Sequence, residues 1–357
     1  MNVGLVGCGV ISRAYVSNSE AFDSYKVVAC ADVDAAAAAS LAAANGCVAV
    51  SVDNLIDDPE IDIVLNLTPP GAHEAVISRA LAAGKHVYSE KPLATSVEAA
   101  GALITDAGRR GLRVGCAPDI FLGGAYQAAR ALLDEGAIGK PLAVSAAMLC
   151  GGQTTWHPNP DIFYADGAGP LLDMGPYYLT AIAALVGPVR RVSGFASTNT
   201  VEQTIEIGPR AGERFVAQTP THTAAVLELE GGLTANFVAS FDAPTQYVCD
   251  LVIHGSDGDL ALPDPNSFGG IVRLRRRSKD WQAVAYAGRG DQDVRGLGLH
   301  DLVQAIAAER PHRASGDLAL HVVDVARAIL ASAAEARVID LDSGVDRPEA
   351  MPVELAA

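Results

Sequence analysis

The chain has 357 residues, 50% hydrophobic and 19% charged, with a formal net charge of −16. A single core stops growing near about 250–300 residues, so the length predicts two domains, and the composition excludes a largely disordered polypeptide. The acidic balance excludes nucleic acid or an anionic membrane surface as the main partner, because a phosphate footprint needs a basic face; a small-molecule ligand is expected. Six cysteines, at 8, 30, 47, 116, 150 and 249, form no CxxC pair and join no histidine cluster. Free thiols in a reducing compartment are therefore expected, with no metal site. The opening MNVGLVGCG lacks the regions of a signal peptide, and no apolar run reaches the roughly 20 residues of a membrane span. A soluble, cytoplasmic protein is expected.

From residue 2 the pattern is apolar strand, glycine turn, helix: NVGLVG, then CGVIS, then a helical stretch toward Phe22. KVVACADVD reads as a second strand, DAAAAASLAAANG as a helix stopped at Asn45 and Gly46, and IDIVLNLTPP as a buried strand. AHEAVISRALAAG is a helix ending at Gly84, and KHVYSEKP another strand. LATSVEAAGALITDAGRRG follows as a helix capped at Thr95 or Ser96 with Glu98 in its first turn, and LRVGCAP closes the series. This alternation predicts a doubly wound parallel sheet over residues 1–120. Beyond it the character changes. After the helix GGAYQAARALLDEGAIG, strands dominate from PLAVSAAMLCGG to IVRLRRRS, joined by GG, GSDG and proline-rich turns, which predicts an antiparallel or mixed sheet. Helices return at GLHDLVQAIAAE and DLALHVVDVARAILASAAEA. The basic run RLRRRS reads as a solvated strand or hairpin.

Gly7-x-Gly9-x-x-Ser12 lies where a dinucleotide fingerprint must lie, directly after the first strand, with Val10 and Ile11 opening the helix. The first glycine permits the tight turn, and the second lets a pyrophosphate approach backbone N–H groups at the helix N-terminus. Ser12 replaces the third glycine. Asp32 ends the second strand, where a carboxylate accepts from ribose hydroxyls, and no Arg or Lys follows in VDAAAAAS to hold a 2′-phosphate; NAD is expected over NADP. The segments Asn66-Leu67-Thr68-Pro69-Pro70 and Ser89-Glu90-Lys91-Pro92 end further strands at the same edge, which forms the ligand crevice of open α/β sheets.

In GAGPLLDMGPYYLTAIAALVG, residues 167–187, Asp173 and Tyr177 stand four apart, a spacing that puts them on one face of a helix. Pro176 conflicts with a continuous helix. Either the helix restarts there with the proline in its first turn, or the pair is less helical. Just before it, Trp156-His157-Pro158-Asn159-Pro160-Asp161 with Phe163 and Tyr164 forms a proline-rich aromatic loop. Such a loop either stacks on the C–H faces of a sugar or packs against its own aromatics. His157 is a second-choice acid or base. Asp119 is a weaker substrate-contact candidate, and His222, His254, His300 and His321 read as structural, although His321 could approach the site from its helix.

The glycine turn, Asp32, the Thr68-Pro69-Pro70 to His73 segment, Glu90-Lys91-Pro92, LDEGAIGKP and Asp173 within GPLLDMGPYYL together resemble the Gfo/Idh/MocA oxidoreductases, across essentially the whole chain. The resemblance implies an NAD-binding Rossmann domain over 1–120. It implies a second α/β domain over 121–357, with a large open, mostly antiparallel sheet, for substrate binding and homodimer or homotetramer assembly. It adds Thr68, Pro69, Pro70, His73, Glu90 and Lys91 to the cofactor residues. It also implies that Lys91 lies beside the nicotinamide and the reacting carbon and that Asp173 is the catalytic-site carboxylate. Many members carry His where this chain has Tyr177, so a phenol is expected in proton transfer. The expected activity is hydride transfer between nicotinamide and a secondary alcohol of a sugar, polyol, cyclitol or related compound, with Lys91, Asp173 and Tyr177 catalytic. Asp119, Trp156, His157 and Tyr164 join Asp173 and Tyr177 as substrate contacts. Chemically, oxidising such an alcohol needs a base for its proton, and a lysine beside a cationic ring loses its own proton more readily. Asp173 would orient Lys91 or a substrate hydroxyl, and Tyr177 is an alternative base or a relay. Two rival functions remain open: transient oxidation that enables a glycoside elimination or hydrolysis, and a non-catalytic dinucleotide-binding regulator.

Overall fold

The computed structural model describes residues 1–244, 247–286 and 294–352. Of these, Met1–Gly123, 294–323 and 351–352 form one unit, and 124–286 with Asp324–Ala350 a second.

The first unit is built on six parallel strands, β1 (Asn2–Val6), β2 (Lys26–Ala31), β3 (Val48–Ala49), β4 (Ile63–Asn66), β5 (His86–Ser89) and β6 (Val114–Cys116), in the order 3-2-1-4-5-6. Helices α1 (Val10–Ser19), α2 (Ala35–Asn45), α3 (Val52–Asp57), α4 (His73–Ala82) and α5 (Val97–Arg109) connect them. Val3, Leu5, Ile63, Val64, Leu65 and Val87 are fully buried, as expected of strands covered on both faces. The helix ends follow their local chemistry. Asp34 caps α2 by accepting from Ala36 N, Gly46 closes it at φ 68°, and Ser96 rather than Thr95 caps α5 by accepting from Ala99 N. The short α3 carries no distinct signal in the sequence; its Leu55 fills the space over Gly4, where an added Cβ would stand 2.5 Å from Leu55 Cδ2.

The sequence reading assigns everything after residue 120 to one domain, whereas residues 294–323 pack in the first unit. Backbone hydrogen bonds are the reason. Cys116 N donates to Ala314 O at 3.0 Å, Gly115 forms an isolated antiparallel bridge with Ser315, and Asp119 Oδ2 accepts from Gly296 N and Gly298 N.

The second unit begins with α6 (Gly124–Asp134) and β7 (Pro141–Leu149). Two helices, α7 (Pro170–Asp173) and α8 (Gly175–Val186), follow the aromatic loop. Its strands are β8 (Val189–Ser197), β9 (Glu202–Thr204), β10 (Arg214–Val216), β11 (His222–Leu229), β12 (Thr234–Ser240), β13 (Val248–Gly255), β14 (Gly258–Leu262), β15 (Arg273–Arg276), β16 (Gln282–Ala283) and β17 (Ile339–Asp340). Among the described residues nine strands form one sheet in the order 16-15-14-13-7-12-11-8-17, antiparallel except for the β7–β12 pair, and β9 pairs with β10 in a separate ladder. Helices α9 (Leu297–Ala307) and α10 (Gly316–Glu335) complete the fold, the division between units falling after Val323 of α10. One face of the sheet is covered. Tyr178 of α8 stacks on Phe237 at 5.3 Å, and the Gly194 N–H donates to Ser332 of α10, where any Cβ on Gly194 would meet Ile329 O at 2.8 Å. The other face leaves Phe195 and Val226 exposed. The run RLRRRS is strand β15, its Arg275 paired with Asp259 and lying over the Trp281 ring. No described helix is long and apolar enough to cross a membrane.

Candidate active site

At the carboxyl edge of the first sheet, Gly7 turns at φ 101°, and a Cβ there would lie 2.5 Å from the Leu67 carbonyl carbon. Only glycine fits both the angle and the approach of the β4 end. A Cβ on Gly9 would meet nothing within 4 Å, so the backbone at the start of α1 is open to a ligand. The position of the missing third glycine is filled by buried Ser12, whose hydroxyl donates to Gly9 O at 2.6 Å. Asp32 is fixed beside this turn: Oδ2 accepts from Cys8 N at 2.7 Å and Oδ1 from Asp34 N at 2.9 Å. Each oxygen keeps a lone pair for a ribose hydroxyl. Burial and the Asp32 charge push the Cys8 thiol up to about 11, which keeps it protonated and unreactive. Val10 and Val33 are 91% and 99% exposed on either side of the turn. An open glycine cradle, a held carboxylate and two bare apolar side chains together suit a dinucleotide.

The ends of β4 and β5 are tied by buried Asn66, which donates to Ser89 Oγ and accepts from the Thr68 hydroxyl. Thr68 is half-buried, Pro69 and Pro70 are exposed, and Glu90 N donates to Asn66 O. Glu90 folds its carboxylate back: Oε1 accepts from the Tyr15 hydroxyl at 2.9 Å and Oε2 from Lys91 N at 3.0 Å. Lys91 is half-buried and precedes a cis proline bond. Two expectations change here. His73, expected to touch cofactor, is fully buried, with its ring nitrogens at 2.6 Å from Pro92 O and 2.7 Å from Thr68 O. It clamps the two strand-end loops together and has no free edge for a ligand. Asp119, expected to touch substrate, is 1% exposed and spends Oδ2 on Gly296 N and Gly298 N. Burial pushes its carboxyl up to about 6, against the pull of the Gly298 amide and of Arg295. It anchors a loop.

In the second unit the Asp173–Tyr177 pair does not share one helix. Asp173 ends α7, Met174 forms the junction at φ −101°, and Pro176 sits in the first turn of α8, where its missing N–H costs nothing. Both side chains are half-buried, and Gln153 Nε2 reaches Asp173 Oδ2 at 3.4 Å. Gly169 starts α7 at φ 95°; Asp173 N donates to its carbonyl. In the preceding loop, His157 stands edge-on to Trp156 at 5.4 Å and to Phe163 at 5.0 Å, so the loop is packed by its own aromatics. Trp156 nevertheless stays 58% exposed, leaving a ring surface for a ligand. Tyr164 does not: it is 1% exposed, packed against Phe215 and Phe241, and fills the space where Gly152 lacks a Cβ. Its expected substrate contact gives way to a core position. A separate open cavity of about 310 Å³ is lined by Asp166, Leu172, Gln218 and Arg327, and none of the aromatic-loop residues lines it.

His300, read as structural, bonds Ser24 and stacks on Phe22; burial holds its pKa below the ordinary value. His254 lies between Ser145 and Asp259. Among the described residues no group of three His, Cys, Asp or Glu could hold a metal. The sequence reading missed Tyr15 and Gln153 as supports of Glu90 and Asp173. Asn66 carried a signal, being a polar residue closing the otherwise apolar run IVLN.

Residues 1–117 match the oxidoreductase family with an NAD-binding Rossmann fold, Gfo/Idh/MocA, and residues 126–261 match the Gfo/Idh/MocA C-terminal domain. The chain is 30% identical over 285 residues to the dTDP-3,4-didehydro-2,6-dideoxy-alpha-D-glucose 3-reductase of Streptomyces violaceoruber, spanning 77% of this chain and 78% of that protein. It is 25% identical over 327 residues to the inositol 2-dehydrogenase of Azotobacter vinelandii, spanning 87% of each. The fold is similar to that of a levoglucosan dehydrogenase solved with NADH and L-sorbose, with a TM-score of 0.84 at 22% identity over 96% of this chain and 99% of that one. With both domain matches in sequence order and a relative aligned through most of its length, the chain belongs to the Gfo/Idh/MocA family of oxidoreductases, with an NAD-binding Rossmann domain at its N-terminus.

Proposed function

We propose that this protein is an NAD-dependent dehydrogenase that moves a hydride between nicotinamide and a secondary alcohol of a sugar, polyol, cyclitol or related compound. The observation that carries the reading is the strand-edge cluster in the first unit: the open Gly7–Gly9 turn, Asp32 held beside it, and Lys91 at the end of β5. Gly7, Gly9, Val10 and Ile11 present the backbone of the α1 terminus to the pyrophosphate. Asp32 takes the adenosine ribose hydroxyls, and its negative charge disfavours the 2′-phosphate of NADP. Thr68, Pro69, Pro70, Glu90 and Lys91 shape the nicotinamide end. The bound cofactor supplies the ring carbon that accepts or returns the hydride.

The chain's own residues handle the proton. Lys91 takes it from the reacting hydroxyl, Asp173 orients the Lys91 amine or that hydroxyl, and the Tyr177 phenol is an alternative carrier or a relay. Gln153 steadies Asp173. Trp156 offers its exposed ring to the apolar face of the substrate, with His157 behind it. The relatives named as acting on deoxysugar, inositol and levoglucosan support the substrate class. The exposed apolar residues on the bare face of the nine-stranded sheet support assembly as a homodimer or homotetramer through that face.

A single experiment decides. Wild type and Lys91→Ala are each incubated with NAD or NADP and a panel of myo-inositol, D-xylose, levoglucosan and other cyclitols and sugars. Expected are net NADH formation with NAD in preference to NADP, and a fall of at least about 100-fold in Lys91→Ala with NADH affinity unchanged. Normal turnover in Lys91→Ala removes the mechanism. Substrate conversion without net NADH points to transient oxidation, and no conversion across the panel points to a regulator.

A further inference from the structure

Helix α1 begins at the glycine turn and, six residues after Gly9, turns Tyr15 inward. Tyr15 is 1% exposed, and its hydroxyl is spent on Glu90 Oε1 at 2.9 Å. The other oxygen of that carboxylate accepts the Lys91 N–H at 3.0 Å, while Glu90 N donates to Asn66 O at 2.9 Å and continues the β4–β5 ladder. Glu90 is therefore gripped on both carboxylate oxygens, once by the cofactor-side helix and once by the main chain of the lysine next to it.

We infer that Tyr15 is a positioning residue for Lys91: its hydroxyl fixes the Glu90 carboxylate, and the carboxylate fixes the Lys91 main chain at the end of β5. The inference rests on the catalytic role proposed for Lys91, and it reaches residues on two elements that the motif itself does not join. Burial and the Glu90 charge hold the Tyr15 phenol well above its ordinary pKa, so the group stays a donor across the working range. Without that donor, Glu90 Oε1 would face a buried site with no partner from α1, and the carboxylate would turn to find another. The Lys91 N–H then loses its acceptor. Because α1 also carries the backbone expected to bind pyrophosphate, a displacement of its first turns on cofactor binding would pass through the same hydroxyl to Lys91.

The test uses the full chain with Tyr15→Phe, which removes one oxygen and keeps the ring. Without cofactor, amide hydrogen exchange at Lys91 is expected to speed up at least tenfold, while exchange at Glu90, whose N–H lies in the strand ladder, stays within twofold. With NAD and the panel compound that wild type turns over fastest, kcat is expected to fall at least fivefold while KM for that compound and NADH affinity stay within twofold. Unchanged Lys91 exchange in a folded Tyr15→Phe protein overturns the inference. So does faster exchange with unchanged kcat. If Tyr15→Phe does not fold, Glu90→Ala, which removes both acceptor oxygens, is read by the same exchange measurement at Lys91, with the same expected and overturning results. Lys91→Ala run alongside separates the two ideas: full activity there defeats the catalytic role of Lys91, whereas a dead Lys91→Ala beside a fully active Tyr15→Phe defeats only the positioning.

Discussion

A single carboxyl shows how far a residue's neighbours can reverse its usual effect. Asp119 is pushed up to about 6 from an ordinary value of 3.8, with burial the largest cause, and its Oδ2 is committed to Gly296 and Gly298 amides. A folded value above the unfolded one means that the native state holds the proton more tightly between the two. The stabilising contribution of the protonated form is thus complete below about pH 4 and is lost as the pH rises through about 6, a difference on the order of 3 kcal/mol. In Asp119→Asn this dependence disappears. Urea midpoints of the two proteins, compared at pH 4 and pH 7, are expected to move in favour of the variant at the higher pH; a constant gap between them would contradict the assignment. The same buried position explains why the residue is misread from sequence. An acid just after a strand end looks available to substrate, and only the return of residues 294–323 reveals the amides that claim it.

At the level of elements, the helix start that presents Asp173 depends on one glycine. Gly169 holds φ 95°, and a Cβ there would lie 2.9 Å from both Pro220 O and Thr219 Cγ2. Gly169→Ala should therefore cost about 1–3 kcal/mol, read as a lower urea midpoint, and should lower kcat as α7 shifts with its carboxylate. Unchanged stability and kcat would show that the turn absorbs a side chain freely. Much of this architecture was legible beforehand. The period of the apolar residues located β1, β2, β4, β5 and β6 and the helices after them other than α3, because these strands are largely buried and α2 and α5 start at a capping Asp or Ser; β3, exposed at both residues, and the six-residue α3 left no such period. Asp32 and the glycine turn were legible for the same reason: their chemistry is local. What escaped was set by contacts distant in sequence. His73 reads as a ligand residue until Pro92 O and Thr68 O close on it, and Tyr164 as a substrate contact until Phe215 and Phe241 do, while Tyr15 offers no sequence signal of its bond to Glu90. The break between α7 and α8 was signalled by Pro176, but Met174 as the junction was not.

For the whole molecule, connectivity matters more than the order of domains along the chain. The first unit needs residues 294–323 as well as its opening 123 residues, since they supply the amides for Asp119, the partner of Cys116 N and the bridge to Gly115. A fragment ending at Gly123 should therefore fail to unfold cooperatively and should bind NADH poorly. The same fragment joined by a short flexible linker to residues 294–323 should recover both, as followed by calorimetry and NADH fluorescence. Cooperative unfolding of the shorter fragment would show that the return is dispensable. The return also sets an order of events during synthesis. The ribosome delivers the six parallel strands early but withholds the segment that seals β6 until the chain has been extended past residue 315, after every strand of the second sheet except β17. The N-terminal unit is thus the first to start folding and cannot be the first to finish, and through that interval the exposed side of β6 depends on chaperones or on speed to stay unpaired.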